Sequence, residues 1–350
     1  MIVTIAADAP AATGTAIFAA AAAAGIGARG TADGRGGTLV GLDAPLPPDA
    51  LMLPGVDAVH REHKPYMLAS REHRGPSVVR VGDVAIGGPR PVLMAGPCVV
   101  EGKEELLAAA EAVRAAGADM LRGGAYKPRT SPYAFQGLGE EGLRHLAAAR
   151  AATGLPVVTE VLEPDQVELV AEYADMLQIG SRNMANFPLL RRVGRSGRPV
   201  LLKRGFSATV EEWLMSAEYI LASGNPDVVL CERGLRGFDP LVRFNLDLNA
   251  VPLAKELSHL PVVVDPSHGT GKRTLVGRMA LAGLAAGADG LIIEVHPTPE
   301  TARCDASQTI SPAELASIRR RGLALHAALT EESDDVVLTG TGAGELARSA

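Results

Sequence analysis

The chain has 350 residues, 47% of them hydrophobic, and a formal net charge of −6 with no block of like charges. That is enough apolar material for one large α/β domain with a small appendage, and the charge gives no support to nucleic-acid binding. The start MIVTIAADAP carries no basic leader, the stretch Ala16 to Ala24 is too short to span a bilayer, and Cys98, Cys231 and Cys304 are too few and too far apart for a disulfide scaffold; a cytoplasmic protein with no membrane partner is expected.

In chain order, residues 1–70 read as a strand (Ile2 to Ala6), an Ala-rich helix (about Ala11 to Ala24), a strand (Thr38 to Leu42), a short Pro-punctuated helix and a strand (Val56 to Glu62). This alternation predicts a small open-faced α+β sandwich. Residues 71–91 form a connector in which RVGDVAIGG is expected to fold as a hairpin. From Val92 eight apolar runs follow: VLMA, DMLR, PVVTEV, DMLQIG, PVLLK, DVVLC, PVVVD and GLIIEV. Helical segments ending in glycine, such as EGLRHLAAARAATG, separate most of them. Eight buried strands each followed by a helix predict a (β/α)8 TIM barrel over residues 92–329, with a doubly wound sheet as the alternative. Residues 330–350 are expected to form a loose tail, and the glycines of GTGAGE belong to it.

A barrel places its chemistry at the carboxyl ends of its strands, and every run here leads into reactive or charged residues. They are Cys98, then Arg122, Lys127 and Arg129, then Glu160, Arg182, Lys203 with Arg204, Glu232 with Arg233, Asp265 with His268, and Glu294 with His296. Cys98, His268, Glu294 and Asp305 together offer a thiolate, an imidazole and two carboxylates, a donor set suited to a divalent transition ion. Arg122, Lys127, Arg129, Arg182, Lys203 and Arg233 aimed at one mouth would repel each other unless anions sit between them. Of 34 basic residues only six are lysine, so a lysine inside YKPR or LLKRG points to a need for its compact head or movable pKa. The GTGKRT stretch lacks the spacing of a nucleotide-binding phosphate loop.

At these residues the chain resembles 3-deoxy-D-arabino-heptulosonate 7-phosphate (DAHP) synthases of type I beta. The resemblance is carried by AGPCVVEG, LRGGAYKPRTSPYAFQGLGEEGL, VVTEVLEPDQ, ADMLQIGSRNMANF, PVLLKRGFSATVEEWL, VVLCERGLRGF, LPVVVDPSHGTGKR and GLIIEVHPTPETARCDASQ. It implies condensation of phosphoenolpyruvate with erythrose 4-phosphate and water to give DAHP and phosphate, the first step of the shikimate pathway, with the N-terminal sandwich as a ferredoxin-like extension. It also implies a divalent Mn, Fe, Co or Zn ion on Cys98, His268, Glu294 and Asp305, phosphoenolpyruvate on Arg122, Lys127, Arg182, Lys203 and Arg233, and the aldose phosphate on Arg129 and Thr130. Asp265 is expected near the sugar hydroxyls, with Pro128, Glu160 and Ser181 completing the substrate contacts and Lys127, His268 and Cys98 as catalytic residues.

A related synthase that takes arabinose 5-phosphate is the nearest alternative, and the KPRTS order favours the four-carbon aldose; a non-catalytic barrel that senses a phosphorylated metabolite would bind without releasing phosphate. Val99 departs from the small or polar residue usual after the cysteine. Cys304, beside Asp305, is expected to approach Cys98 closely enough to form a disulfide when metal is absent. A dimer or tetramer is expected, and the sandwich reads equally as a packing module or as the seat of an aromatic amino acid effector.

Overall fold

The computed structural model describes residues 1–33, 36–60, 64–129 and 131–335. Thr130, Glu62, the central Gly34 and Arg35 of TADGRGGT and residues 336–350 of the expected tail lie outside the described residues. At the N-terminus β1 (Ile2–Ile5), α1 (Ala11–Ala23), β2 (Ala28–Ala32), β3 (Thr38–Leu42) and β4 (Val56–His60) form an antiparallel sheet in the order β2-β3-β1-β4. That is the strand order of a ferredoxin-like unit, with a 3-10 turn at Pro48–Leu51 in place of its second helix. The sheet has one strand more than the sequence pattern announces, because ARGTA is small and polar and pairs only with β3 at the sheet edge. Val3, Ile5, Val40 and Leu42 pack one sheet face against Ile17 and Ala21 of α1. The other face looks across a cleft of about 400 Å³ at Met67, Glu72 and His73 of the connector, which in the structure takes in residues from 64 onward and not only the expected 71–91.

Further along, β5 (Val79–Val81) and β6 (Val84–Ile86) form an antiparallel hairpin. Eight parallel strands then close into a barrel: β7 (Val92–Gly96), β8 (Met120–Arg122), β9 (Val157–Glu160), β10 (Met176–Ile179), β11 (Val200–Lys203), β12 (Val228–Glu232), β13 (Val262–Val264) and β14 (Gly290–Glu294). Each pairs with the next, and β14 pairs with β7 to complete the ring. The helices outside are α2 (Lys103–Ala115), α3 (Glu140–Thr153), α4 (Val167–Tyr173), α5 (Phe187–Val193), α6 (Val210–Leu221), α7 (Ala250–Leu257), the short α8 (Pro266–Thr270), α9 (Arg273–Ala285) and α10 (Pro312–Asp335). α3 stops at Gly154, whose left-handed backbone (φ 75) favours glycine. α10 runs past Leu329, where the tail was expected to begin, as far as Asp335. Among the described residues no helix is long and apolar enough to cross a membrane.

Strand side chains alternate faces, and here that period divides the barrel interior into two storeys. The floor is apolar: Met94, Met120, Val158, Met176, Leu201, Val229, Val263 and Ile292 pack on Val79, Val81 and Ile86 of the hairpin, which plugs the bottom. Two residues further along the same strands the inward positions become Arg122, Glu160, Gln178, Lys203, Asp265 and Glu294. The closed floor leaves those polar groups one opening, at the carboxyl end.

Candidate active site

At that end lies a cavity of about 300 Å³. Arg122, Glu160, Gln178 and Lys203 reach it from strand ends, while Cys98, Lys127, Pro128, Arg129, Ser181, Arg182, Arg233 and His268 reach it from the loops that follow. Asp305 and Cys304 arrive from the loop after β14.

Its acidic and thiol groups converge. His268, Glu294 and Asp305 place one ligand atom each within 4.8 Å of one another, and so do Cys98, Cys304 and Asp305, so that Asp305 joins the two sets. Lys127 Nζ bridges them, 2.6 Å from Cys98 Sγ and 3.0 Å from Asp305 Oδ2. Burial pushes the Lys127 pKa down, but Cys98, Glu294 and Asp305 outweigh it and raise the value, so the ammonium keeps its proton. Burial likewise pushes Asp305 up, and Lys127 and His268 outweigh it, holding the carboxyl below the ordinary carboxylate range. Both thiols are free. Cys304 is lowered to about 7 by its hydrogen bond with Cys98, which keeps the proton and is itself pushed up by that bond and by burial. The expected approach of the two sulfurs is therefore present.

Asp265 stands behind the cavity wall, bonded to Lys203 and His268. It is 1% exposed and does not line the cavity, because its Oδ2 takes Lys203 Nζ at 2.5 Å and His268 Nδ1 at 2.8 Å while its Oδ1 caps the His268 backbone N–H at 2.9 Å. Burial alone would raise its pKa, yet His268 and Lys203 hold it well below the carboxylate range. A charged Asp265 keeps the proton of His268 on Nδ1 and leaves the Nε2 lone pair directed at Glu294 Oε1, 3.3 Å away. Burial lowers the His268 pKa, which favours the neutral, ligating ring.

The cations fall into two groups. Arg122 Nε, Arg233 Nη1 and Ser181 Oγ are buried without a hydrogen-bond partner. Arg233 lies on the faces of Phe244 (4.1 Å) and Phe206 (4.9 Å), and Arg182 also stands over Phe206 at 5.3 Å, so the aromatic pair aims two guanidinium planes. Unpartnered donors in a cationic cavity call for an anion with several acceptor oxygens. Arg129 sits apart, its Nη1 2.7 Å from Cys304 Sγ.

Two expectations drawn from position alone do not lead to the mouth. Arg204 turns outward, where Nη1 pairs with Glu232 (3.0 Å) and Asp247 (2.8 Å) beneath Trp213. Glu232 is thereby committed to that buried pair, and burial raises its pKa in spite of Arg204. His296 accepts the Thr298 backbone N–H at 3.1 Å and does not line the cavity. Sequence reasoning also missed three residues. Gln178 lines the cavity and donates to Glu160 Oε2 at 3.2 Å; Arg243 lines it with Nη1 3.4 Å from Asp305; Gln308 donates to Glu294 Oε2 at 2.7 Å. For Gln178 the inward alternation along β10 was the available signal; the other two come from loops whose course the pattern does not fix.

A closed parallel barrel with its reactive groups gathered at the carboxyl mouth, metal-ligand types beside cations that keep unpartnered donor atoms, defines a (β/α)8-barrel enzyme for anionic substrates. Comparison with known proteins narrows the class. The sequence pattern of the DAHP synthetase I family matches residues 66–331. A phospho-2-dehydro-3-deoxyheptonate aldolase of Thermotoga maritima is 53% identical over 256 residues, spanning 73% of this chain and 76% of the relative. A 2-dehydro-3-deoxyphosphooctonate aldolase of Syntrophotalea carbinolica is 36% identical over 255 residues, 67% of this chain and 91% of its own. The crystal structure of a Thermotoga maritima DAHP synthase superposes with a TM-score of 0.72 at 42% identity, covering 96% of this chain and 97% of that one. The chain belongs to the DAHP synthetase I family, and its reaction is the condensation of phosphoenolpyruvate with erythrose 4-phosphate and water, releasing phosphate, that opens the shikimate pathway.

Proposed function

We propose that the mouth runs this condensation with a divalent transition ion on Cys98, His268, Glu294 and Asp305, and that its two cationic groups divide the substrates. The donor set fits such an ion: His268, Glu294 and Asp305 place their ligand atoms within 4.8 Å of one another, Cys98 lies equally close to Asp305, burial favours a neutral His268, and Asp265 stands behind it. When bound, the ion would supply Lewis acidity to the aldehyde carbonyl.

Arg122, Lys127, Arg182, Lys203 and Arg233 hold phosphoenolpyruvate, a role supported by the buried orphan donors of Arg122, Arg233 and Ser181. Arg129, with Pro128 setting its turn and Thr130 beside it, takes the aldose phosphate at the rim. Glu160 and Gln178 close the wall between them. In the reaction C3 of the enol phosphate bonds to the aldehyde carbon, water adds its oxygen to C2, and the C2–O bond to the phosphate breaks, releasing inorganic phosphate. Holding two anions side by side removes much of the entropic and electrostatic barrier to the first step. Lys127 delivers or shares a proton with the oxygen that becomes negative. The same reading places the enzyme in the cytoplasm as a homodimer or homotetramer, with a sandwich over residues 1–70, a connector over 71–91 and a catalytic barrel over 92–329.

The observation that carries this reading is that two ligand groups joined at Asp305 lie beside the unpartnered buried donors of Arg122, Arg233 and Ser181. Phosphate release with phosphoenolpyruvate and a panel of aldose phosphates, with and without chelator, tests it. Release is expected with erythrose 4-phosphate far above arabinose 5-phosphate and lost on chelation. Full activity under strong chelation would sink the metal assignment, and preference for the five-carbon sugar would sink the substrate assignment.

A further inference from the structure

Between β14 and α10 the chain turns tightly through Asp305-Ala-Ser-Gln-Thr. Asp305 has left-handed backbone (φ 52), the one non-glycine residue among those described to do so, and aspartate tolerates that region better than most residues. Its carbonyl oxygen accepts the backbone N–H groups of Gln308 (3.0 Å) and Thr309 (3.2 Å) and the Thr309 hydroxyl (3.0 Å). The turn is therefore fixed by main-chain bonds that no change in the Gln308 side chain removes.

The Gln308 side chain runs inward and is fully buried, at 0% exposure. Its Nε2 donates to Glu294 Oε2 at 2.7 Å, while its own Oε1 has no partner. The other oxygen of Glu294, Oε1, takes Arg122 Nη1 at 2.9 Å and faces His268 Nε2 at 3.3 Å. A carboxylate on a flexible stem can rotate about its last bond, and a ligand that rotates does not hold an ion well. A neutral amide on the rear oxygen stops the rotation without adding a cation that would repel a metal. The orphaned Oε1 costs free energy in a dry site, so the donor end carries the interaction.

We infer that Gln308 is a positioning residue for metal binding: its amide locks Glu294 with Oε1 turned toward His268, while its backbone N–H locks Asp305, so one short turn sets two ligands. This rests on the metal reading given above.

Full-length, metal-free protein titrated with Co²⁺, followed by thiolate-to-cobalt charge-transfer absorbance, provides the test. Gln308→Met keeps the length and removes the donor. Its Co²⁺ affinity is expected to fall about 10- to 100-fold, with the band still forming at saturation and the unfolding temperature of the metal-free form unchanged. Equal affinity in parent and variant overturns the inference, and so does a lower unfolding temperature with unchanged affinity, which marks a packing role. If Gln308→Met does not fold, Gln308→Asn, whose amide falls one methylene short, takes its place: weakened affinity supports the inference and parental affinity overturns it. Absence of the band in the parent protein overturns the metal reading itself, and this inference with it.

Discussion

An ammonium 2.6 Å from a thiol and 3.0 Å from a carboxylate can hold the donor cluster's geometry or give up its proton, and Lys127 is placed for both. The charges around it keep it protonated, and in the mechanism proposed above that ammonium faces the oxygen that becomes negative. Arginine at this position would keep the charge, but its planar fork is wider than an ammonium and cannot hold the same short contacts to Cys98 and Asp305. Lys127→Arg is expected to lower kcat by about 100-fold or more with a smaller change in the KM for phosphoenolpyruvate; steady-state kinetics retaining full turnover would remove any special role for lysine. At this scale the sequence was legible wherever period two could be applied. Lys203 and Arg204 are adjacent, yet one faces the mouth and the other the buried Glu232, as neighbours on a strand must. Arg243 and Gln308 were beyond that rule, since their positions depend on how two long loops fold back.

Elements show the same division. Eight apolar runs correspond to eight barrel strands because burial on both sides leaves a continuous apolar signal. The edge strand β2, with exposed Arg29 and Gly30, has no such signal. Nor did any pattern announce that α6 grips the connector. Glu218, on that helix, accepts the backbone N–H groups of Leu68 (2.8 Å) and Ala69 (2.9 Å) with its two oxygens. Burial pushes its pKa up to about 7, against the pull of those two bonds. A folded-state pKa above the unfolded value means the native chain holds the proton more tightly. Its contribution is fully present below about pH 4.5 and is lost as pH rises to about 7, a change on the order of 3 kcal/mol. Thermal unfolding of parent and Glu218→Gln from pH 5 to pH 8 isolates the effect. The variant should lose stability at pH 5, where one acceptor is missing, and the gap should narrow or close by pH 8. A gap independent of pH would show that Glu218 does not titrate in this window.

Across the whole molecule the barrel and the N-terminal sheet meet through few polar contacts but a shared apolar seam. Thr31 Oγ1 donates to the Ala222 carbonyl at 2.9 Å, and Leu39 packs in the same cluster as Tyr66, Met67 and Leu68 of the connector. None of this reaches the mouth, whose lining comes from strand ends and loops of the barrel and not from the sheet. A cleft of about 400 Å³ lies between the open sheet face and the connector, and the expected aromatic amino acid effector can be tested against it. Removal of residues 1–60 uncovers the seam and abolishes that cleft. The shortened enzyme is expected to release phosphate at a rate within several-fold of the full chain while unfolding at a lower temperature. Inhibition by tyrosine or phenylalanine, measured on both forms, then separates the roles: inhibition confined to the full chain marks a regulatory sandwich, inhibition of neither marks a packing module, and equal inhibition of both places the effector on the barrel and ends the case for the cleft.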